Sequence, residues 1–417
     1  MTVSDSGQRL PVIGFLTGTG ISLLGNAMAM LAIPWFVLDT TGSASQTGFA
    51  GVATSLPMAL SAVFGGPLID RLGGRRMSVI SDLVSAAAIA AIPILYYLDA
   101  LTYPLILLLI FLGAILDVPG VTARRMLLPS FQKQAGLRAE QMNTAFEVLS
   151  NISNMLGPAI AGVLIAWKGP VNLLWLTAVG FLVSAAGVAF LAPEGSSPVV
   201  PKQRQPYLES IREGFAFITK TRVLLAMAVM FSVSNFISNG FFSVGLPVFV
   251  YETWGTAARL GIMFTALGIG QLLGAILYGA LGHRVRQHRR WILIVGFSSQ
   301  PLWFAAFLWS ESAPMLMAAM FMTGFMAGPA NPMAVTVRFE HIPKALHGRV
   351  FATFSAITAT ITPIGIAVSG LVVEQFGIQT GIMAIVIAYL IFAMVLPFVR
   401  SFEVMNTPGP YIEELDT

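Results

Sequence analysis

The chain contains no cysteine among its 417 residues. Disulfides, thiolate catalysis and cysteine-bound zinc are therefore excluded. Histidine is nearly as scarce. His283, His288, His341 and His347 are the four, and their spacings match no metal-ligand set, so neither a metal nor another cofactor is expected. Phosphate loops are missing too. "GFAFITKT" carries Thr219 where the second glycine should precede Lys220, which argues against nucleotide hydrolysis. "GIGQLLG" lacks dinucleotide spacing, and no nucleophile–base pair stands out, so the chain does not read as an enzyme. Charge is the most telling shortage. Asp, Glu, Lys and Arg make up 10%, against about 25% in a typical soluble domain.

Apolar residues fill that space, at 56% of the chain. Ten stretches of 20 or more residues carry no charge: 10–38, 40–69, 148–167, 169–193, 223–251, 260–282, 291–310, 312–337, 350–373 and 375–399. About 20 apolar residues cross the hydrocarbon core as a helix. Runs 77–98 and 100–123 join them if each tolerates one acid, Asp82 and Asp117. These stretches are apolar all round, unlike the amphipathic helices of a soluble core. Twelve membrane spans are expected, numbered here in chain order. The first run, at 29 residues, is too long for the 7–15-residue apolar region of a signal peptide.

An even number of spans puts both termini on one side. If that side is the cytoplasm, the outer segments hold only Lys168 and Arg259, and the inner ones the other 21 of 23 basic residues. The positive-inside rule then sets both termini in the cytoplasm. The net charge of +4 reports this orientation rather than a nucleic-acid partner, because the arginines sit in separate loops.

The chain also repeats itself. "PWFVLDTTGSA" from Pro34 returns as "PVFVYETWGTA" from Pro247, and Asn26 returns as Asn239. "VTARRMLLP" from Val121 returns as "VTVRFEHIP" from Val335, and "GGPLIDRLGGRRM" from Gly65 as "YGALGHRVRQHRRW" from Tyr278. The offset is 213 or 214 each time, and each block falls at the same place in a six-span unit. The expected fold is all-α: two pseudo-symmetric six-helix bundles, residues 1–193 and 223–400, in the same orientation, with a site near the midplane. Residues 194–222 read as a cytoplasmic linker containing an amphipathic surface helix, and 401–417 as a cytoplasmic tail.

With twelve spans in two copies, the chain resembles the major facilitator superfamily. The loop "GGPLIDRLGGRR" is similar to its signature, with Gly66, Asp70, Arg71, Gly73, Arg75 and Arg76 in matching roles and Gly74 where a basic residue is common. In that family the loop carboxylate meets the N-terminus of the eleventh helix, so the resemblance implies gating. A carboxylate there is worth about 0.3–2 kcal/mol. "LGPAIAGVL" resembles the antiporter motif of the exporting branches through Gly157, Pro158 and Gly162. "SLLGNAMAMLAIPWFVLDTTGSA", "GFAFITKTRVLLAM" and "LHGRVFATFSAI" look like the branch of macrolide-efflux proteins, enterobactin exporters and mycobacterial multidrug pumps.

Three acids interrupt spans, and no base lies deep in one, so each acid needs a cavity, a partner or a helix end. Asp82 is read as a partner of the signature-loop arginines. Asp117 finds no basic neighbour, and burial favours a neutral carboxyl, the property a proton carrier needs. Its alternative is a helix-end device. Glu147 shares a face with Thr144, Asn151, Asn154 and Pro158, or simply serves the helix dipole. Asp117 and Glu147 are the proton-coupling candidates. Substrate candidates are Ser22 with Asn26, their repeats Asn235 and Asn239, Met326 on a methionine face of span 10, and Asn331, where "GPANP" should break the helix. Asp82, Gly157, Pro158 and Gly162 join the gating set.

The expected function is a proton-coupled exporter of amphiphilic, cationic or neutral small molecules such as macrolides, working by alternating access as a monomer in a bacterial inner membrane. Alternatives are export of an endogenous metabolite or siderophore, lysophospholipid flipping, and a non-transporting membrane sensor.

Overall fold

The computed structural model describes residues 3–192, 207–282, 284–407 and 409–411. The linker stretch 193–206, His283 and the end of the tail, 412–417, lie outside the described residues. Regular structure within the described residues is helical throughout.

Ten of these helices are long and apolar enough to cross a membrane. An eleventh is bent, Ala44–Ser61 meeting Gly65–Leu72 at 64°. The last helical stretch, Lys344–Phe398, has 55 residues. At 1.5 Å per residue it would reach about 80 Å, well over twice the hydrocarbon thickness. It folds back instead at Gly377 (φ 81°, ψ 164°), giving spans 11 and 12 over 347–376 and 378–395. The arrangement fits twelve spans.

The chain divides into two compact units, residues 1–202 with 256–261 and residues 203–255 with 262–417. The duplicated phrase has a local cause in both. Spans 1 and 7 each end on a left-handed glycine, Gly42 (φ 65°) and Gly255 (φ 62°). Their amides donate back to Leu38 O at 2.8 Å and Tyr251 O at 3.0 Å. Glycine is the residue that takes this conformation without a Cβ penalty.

In unit 1, Phe15, Phe131, Phe146 and Val188 form a core at one end of the bundle, where Phe15 stacks on Phe131 at 4.2 Å. Unit 2 packs Met227, Phe297, Met333 and Phe354 together, with an aromatic cluster of Phe241, Phe304, Phe307 and Phe249 beside it.

The expected surface helix is present at Tyr207–Lys220, but it is docked on protein. Ile218 is fully buried in unit 2, and Glu213 pairs with Arg349. Gly214 makes the approach possible, since a Cβ there would meet Arg349 O at 2.8 Å. The tail likewise begins as structure. Residues Arg400–Asn406 form a 3₁₀ segment that buries Phe402 and Met405, and Glu403 pairs with Arg290 at 2.6 Å.

Candidate functional site

The polar centre of unit 1 is built on a broken helix. Span 4 consists of Tyr103–Ala114 and Asp117–Ala135. The break at Ile115 and Leu116 precedes Pro119, which has no amide to continue the ladder. Carbonyls at the break accept from serines of span 3: Ser85 donates to Gly113 O at 2.9 Å, and Ser81 donates at 2.8 Å to Leu116 O, which also takes the Gly120 amide. Gly120 fits against Ser81, where a Cβ would lie 2.7 Å from the serine Cβ. Asp117 is the first residue past the break. It is partly exposed, and its Oδ1 lies 3.1 Å from Ser85 Oγ.

Two turns further along the helix sits an arginine that the sequence placed in a loop. The helix continues to Ala135, so Arg124 is buried, 1% exposed. Its Nε donates to Ser78 Oγ at 3.1 Å and its Nη1 to Ser22 Oγ at 2.8 Å. Its Nη2 pairs with Asp82 Oδ1 and reaches Ser184 Oγ at 3.4 Å. Ser22 also donates to Asp82 Oδ1 at 3.0 Å. One guanidinium thus ties spans 1, 3, 4 and 6 together.

This corrects several expectations. Asp82 does not partner the signature-loop arginines; Arg75 donates instead to Ala189 O on span 6. Ser22 is 1% exposed and committed to the ion pair, so it does not face a substrate. A base does lie deep in a span. Glu147 has a base as well: Arg125, next to Arg124 but pointing outward, reaches it at 2.6 Å, with both side chains about half exposed (50% and 52%). Arg125 also lies 4.6 Å from the Phe146 ring centroid. Asp82 and Glu147 each pair with an arginine, whereas the hydrogen bond to Asp117 comes from Ser85.

Thr144, Glu147, Asn151 and Asn154 do share an exposed face. On the packed side of the same helix, Gly157 fits against Ala27, whose carbonyl carbon would be 3.2 Å from an added Cβ. Asn26 next to it is half-buried, as is Pro158, while Gly162 is buried. In the signature loop, Gly73 has φ 76° and ψ 157°, and its amide caps the preceding helix on Ile69 O at 2.8 Å. Close packing falls to Gly65, where a Cβ would lie 3.0 Å from Pro119, not to Gly66, whose Cβ would meet open space. Asp70, Arg71 and Arg76 are exposed.

In unit 2 the break in span 10 falls between Ala313–Ala327 and Ala330–His341, two residues earlier than expected. Asn331 therefore sits exposed in the first turn after the break. It stands 214 residues from Asp117, so the second copy has an amide where the first has an acid. Arg338 likewise repeats Arg124. With no acid equivalent to Asp82, its guanidinium lies 4.6 and 4.5 Å from the ring centroids of Phe351 and Phe354. The repeated block "VTARR"/"VTVRF" was the signal that could have marked Arg124 as internal. Asn235 donates to Thr358 O at 3.1 Å and Asn239 to Asn235 O at 2.9 Å. A π-helical turn, Phe241–Gly245, follows directly; such turns recur at functional sites. Met326 is half-buried, whereas Met333, which shares its face in sequence, is core. Among the described residues no group of three or more His, Asp or Glu is gathered for a metal.

The family model for the Major Facilitator Superfamily matches residues 15–253 and 231–410. The chain is 29% identical over 408 residues to the multidrug efflux pump Tap of Mycolicibacterium fortuitum, covering 96% of this chain and 99% of that one. It is 22% identical over 402 residues to macrolide efflux protein A of Streptococcus pyogenes, covering 93% and 96%. Among solved structures, the nucleoside transporter NupG aligns with a TM-score of 0.72 at 15% identity, covering 95% of this chain and 99% of that one. A bacterial homologue of ferroportin aligns at 0.73 and 15%, covering 96% and 99%. The twice-matching family model spans nearly the whole chain: this multi-pass membrane protein belongs to the major facilitator superfamily.

Proposed function

We propose that the chain is a secondary active exporter of amphiphilic small molecules, drugs among them, that exchanges substrate for protons by alternating access. It would act in the bacterial inner membrane with both termini in the cytoplasm. The observation that carries the coupling is Asp117. Ser85 has a single hydroxyl hydrogen, placed to serve both Gly113 O and Asp117. A protonated Asp117 can donate to Ser85 while Ser85 donates to Gly113, so every group is satisfied. An ionised Asp117 competes with the carbonyl for that one hydrogen. The site therefore accommodates a neutral carboxyl well, and partial exposure gives protons access to it.

The Asp82–Arg124 pair supports the same reading. It is sealed and its two charges compensate each other, so neither partner is free to exchange a proton. Asp117 is thus the exchanging acid, and Asp82 and Arg124 brace the spans around it. Glu147 serves as a second, more exposed acid, paired with Arg125 and released when that pair opens. Its polar stripe cannot rest against hydrocarbon without a penalty, which places it along a wet path. Asn26, Asn235, Asn239, Asn331 and Met326 supply amide and thioether contacts suited to varied ligands. Asp70 and Arg71 act in gating. Because arginines lie beside both Asp82 and Glu147, the site's charge favours neutral amphiphiles as much as cations.

The similarity to a multidrug pump and a macrolide exporter supports a drug substrate over a metabolite. The test is drug accumulation in a pump-deficient bacterial host expressing the protein. Accumulation of at least one macrolide or other amphiphilic antibiotic should fall, and a protonophore should restore it. Unchanged accumulation across a broad panel would refute drug export. A fall insensitive to the protonophore would refute proton coupling.

A further inference from the structure

Unit 2 contains a second polar feature that the transport reading leaves unused. A cavity of 430 Å³ opens where spans 8, 9 and 10 meet, lined by Tyr278, Gly279, Arg286, Arg289 and Thr336. Arg289 is buried, 6% exposed. Its Nη1 donates to both oxygens of Glu340, at 3.0 and 2.8 Å. Its Nε is buried without an acceptor. Arg286 is 3.6 Å from the same carboxylate, and its Nε and Nη2 are buried without a hydrogen bond. Two guanidiniums therefore share one carboxylate, leaving one net positive charge in the cavity's lining and three guanidinium nitrogens buried without an acceptor. Buried donors are rarely left so.

The neighbouring charges do not resolve the excess. Arg290 is engaged by Glu403, Asn406 and Pro397 O, and Glu340 is already used by Arg289. Thr336 donates to Pro332 O at 2.9 Å. The space itself is real at its glycine wall, because a Cβ on Gly279 would meet nothing within 4 Å. A compact anion with several acceptor oxygens answers the charge, and a guanidinium that turns toward it gains acceptors for its buried donors; guanidinium forks match phosphate geometry.

We propose that this cavity binds a phosphate group, from an anionic phospholipid headgroup or from free phosphate. The basic loop beside it lies on the side that the charge asymmetry assigns to the cytoplasm, and basic pockets between helices there suit anionic headgroups.

The experiment is thermal unfolding of the purified full-length protein in a neutral detergent, titrated separately with dioctanoyl phosphatidylglycerol, dioctanoylglycerol, inorganic phosphate and matched sodium chloride. Wild type, Arg286→Gln and Gly279→Leu are compared. Arg286 is chosen because its removal leaves the Arg289–Glu340 pair intact, and Gly279→Leu fills the cavity without changing charge. Stabilisation by phosphatidylglycerol but not by dioctanoylglycerol or phosphate identifies a lipid headgroup. Stabilisation by phosphate beyond that of sodium chloride identifies the free anion. In either case both variants should weaken the apparent affinity about tenfold or more, the loss expected for a charge-assisted hydrogen bond. Equal stabilisation by all additives, no stabilisation, or a wild-type response in both variants would overturn the site.

Discussion

Removing Arg124 alone should damage unit 1 far more than removing Arg124 and Asp82 together. In Arg124→Met, the Asp82 carboxylate, 2% exposed, keeps only the Ser22 hydroxyl, and its Oδ2 has no partner even in the intact protein. Breaking a buried pair in this way costs about 3–5 kcal/mol. Asp82→Leu leaves the guanidinium with three serines and no counter-charge, a loss of the same order. In the double variant both charges go, and the remaining serines can turn to their own helix carbonyls. Replacing a buried pair by apolar side chains is often close to neutral. For a unit of about 200 residues, 1 kcal/mol corresponds to roughly 2–4 °C. Each single variant should therefore lower the apparent Tm in detergent by about 6–20 °C, and the double variant should recover most of that. The assay is fluorescence-detected size-exclusion after heating, on matched amounts of protein. If Arg124→Met melts with wild type, or the double variant is as poor as the sum of the singles, the pair does not hold these four spans together.

Other outcomes follow from the same geometry. Glu147→Gln removes only a half-exposed pair with Arg125 and should cost no more than about 1 kcal/mol in stability; a large drop in Tm would show that the pair is buried in the working protein. Gly73→Ala forces a Cβ into φ 76°, ψ 157°, a region open essentially to glycine, and should cost about 1–3 kcal/mol, measured by the same melting assay. Gly157→Leu drives a side chain into the backbone of span 1 at Ala27 and should abolish efflux while the chain still inserts; normal efflux would deny that contact. Ser85→Ala should slow proton exchange while sparing stability, because it removes the Asp117 partner and leaves Asp82–Arg124 intact.

Much of the fold was legible because a membrane imposes long apolar runs and the duplication supplies an internal check. The glycines ending spans 1 and 7 appeared in sequence as a repeated phrase and in structure as matching left-handed caps. The site was less legible, for a specific reason. Ending span 4 before its first base placed Arg124 outside the bilayer, yet the helix continues three turns to Ala135 and the guanidinium is stabilised by a carboxylate and three serines from other spans. Those partners lie 42 to 102 residues away, beyond any local pattern. The same cut hid Arg125 from Glu147 and made Ser22 look like a ligand contact. Asp117 could be singled out because a lone acid beside "VPG" needs an explanation whatever surrounds it. That Asn331 takes its place in the second copy became meaningful once both helices were seen to break at the same repeat position.

The central claim is that Asp117 carries the exchanged proton. Its most direct test is the discharge of an imposed pH gradient in proteoliposomes upon addition of a transported drug, comparing wild type with Asp117→Asn at equal reconstitution. Wild type should dissipate the gradient when the drug is added, while the Asp117→Asn protein binds the drug and leaves the gradient standing. Discharge by Asp117→Asn at the wild-type rate would contradict the account and move the coupling to another group.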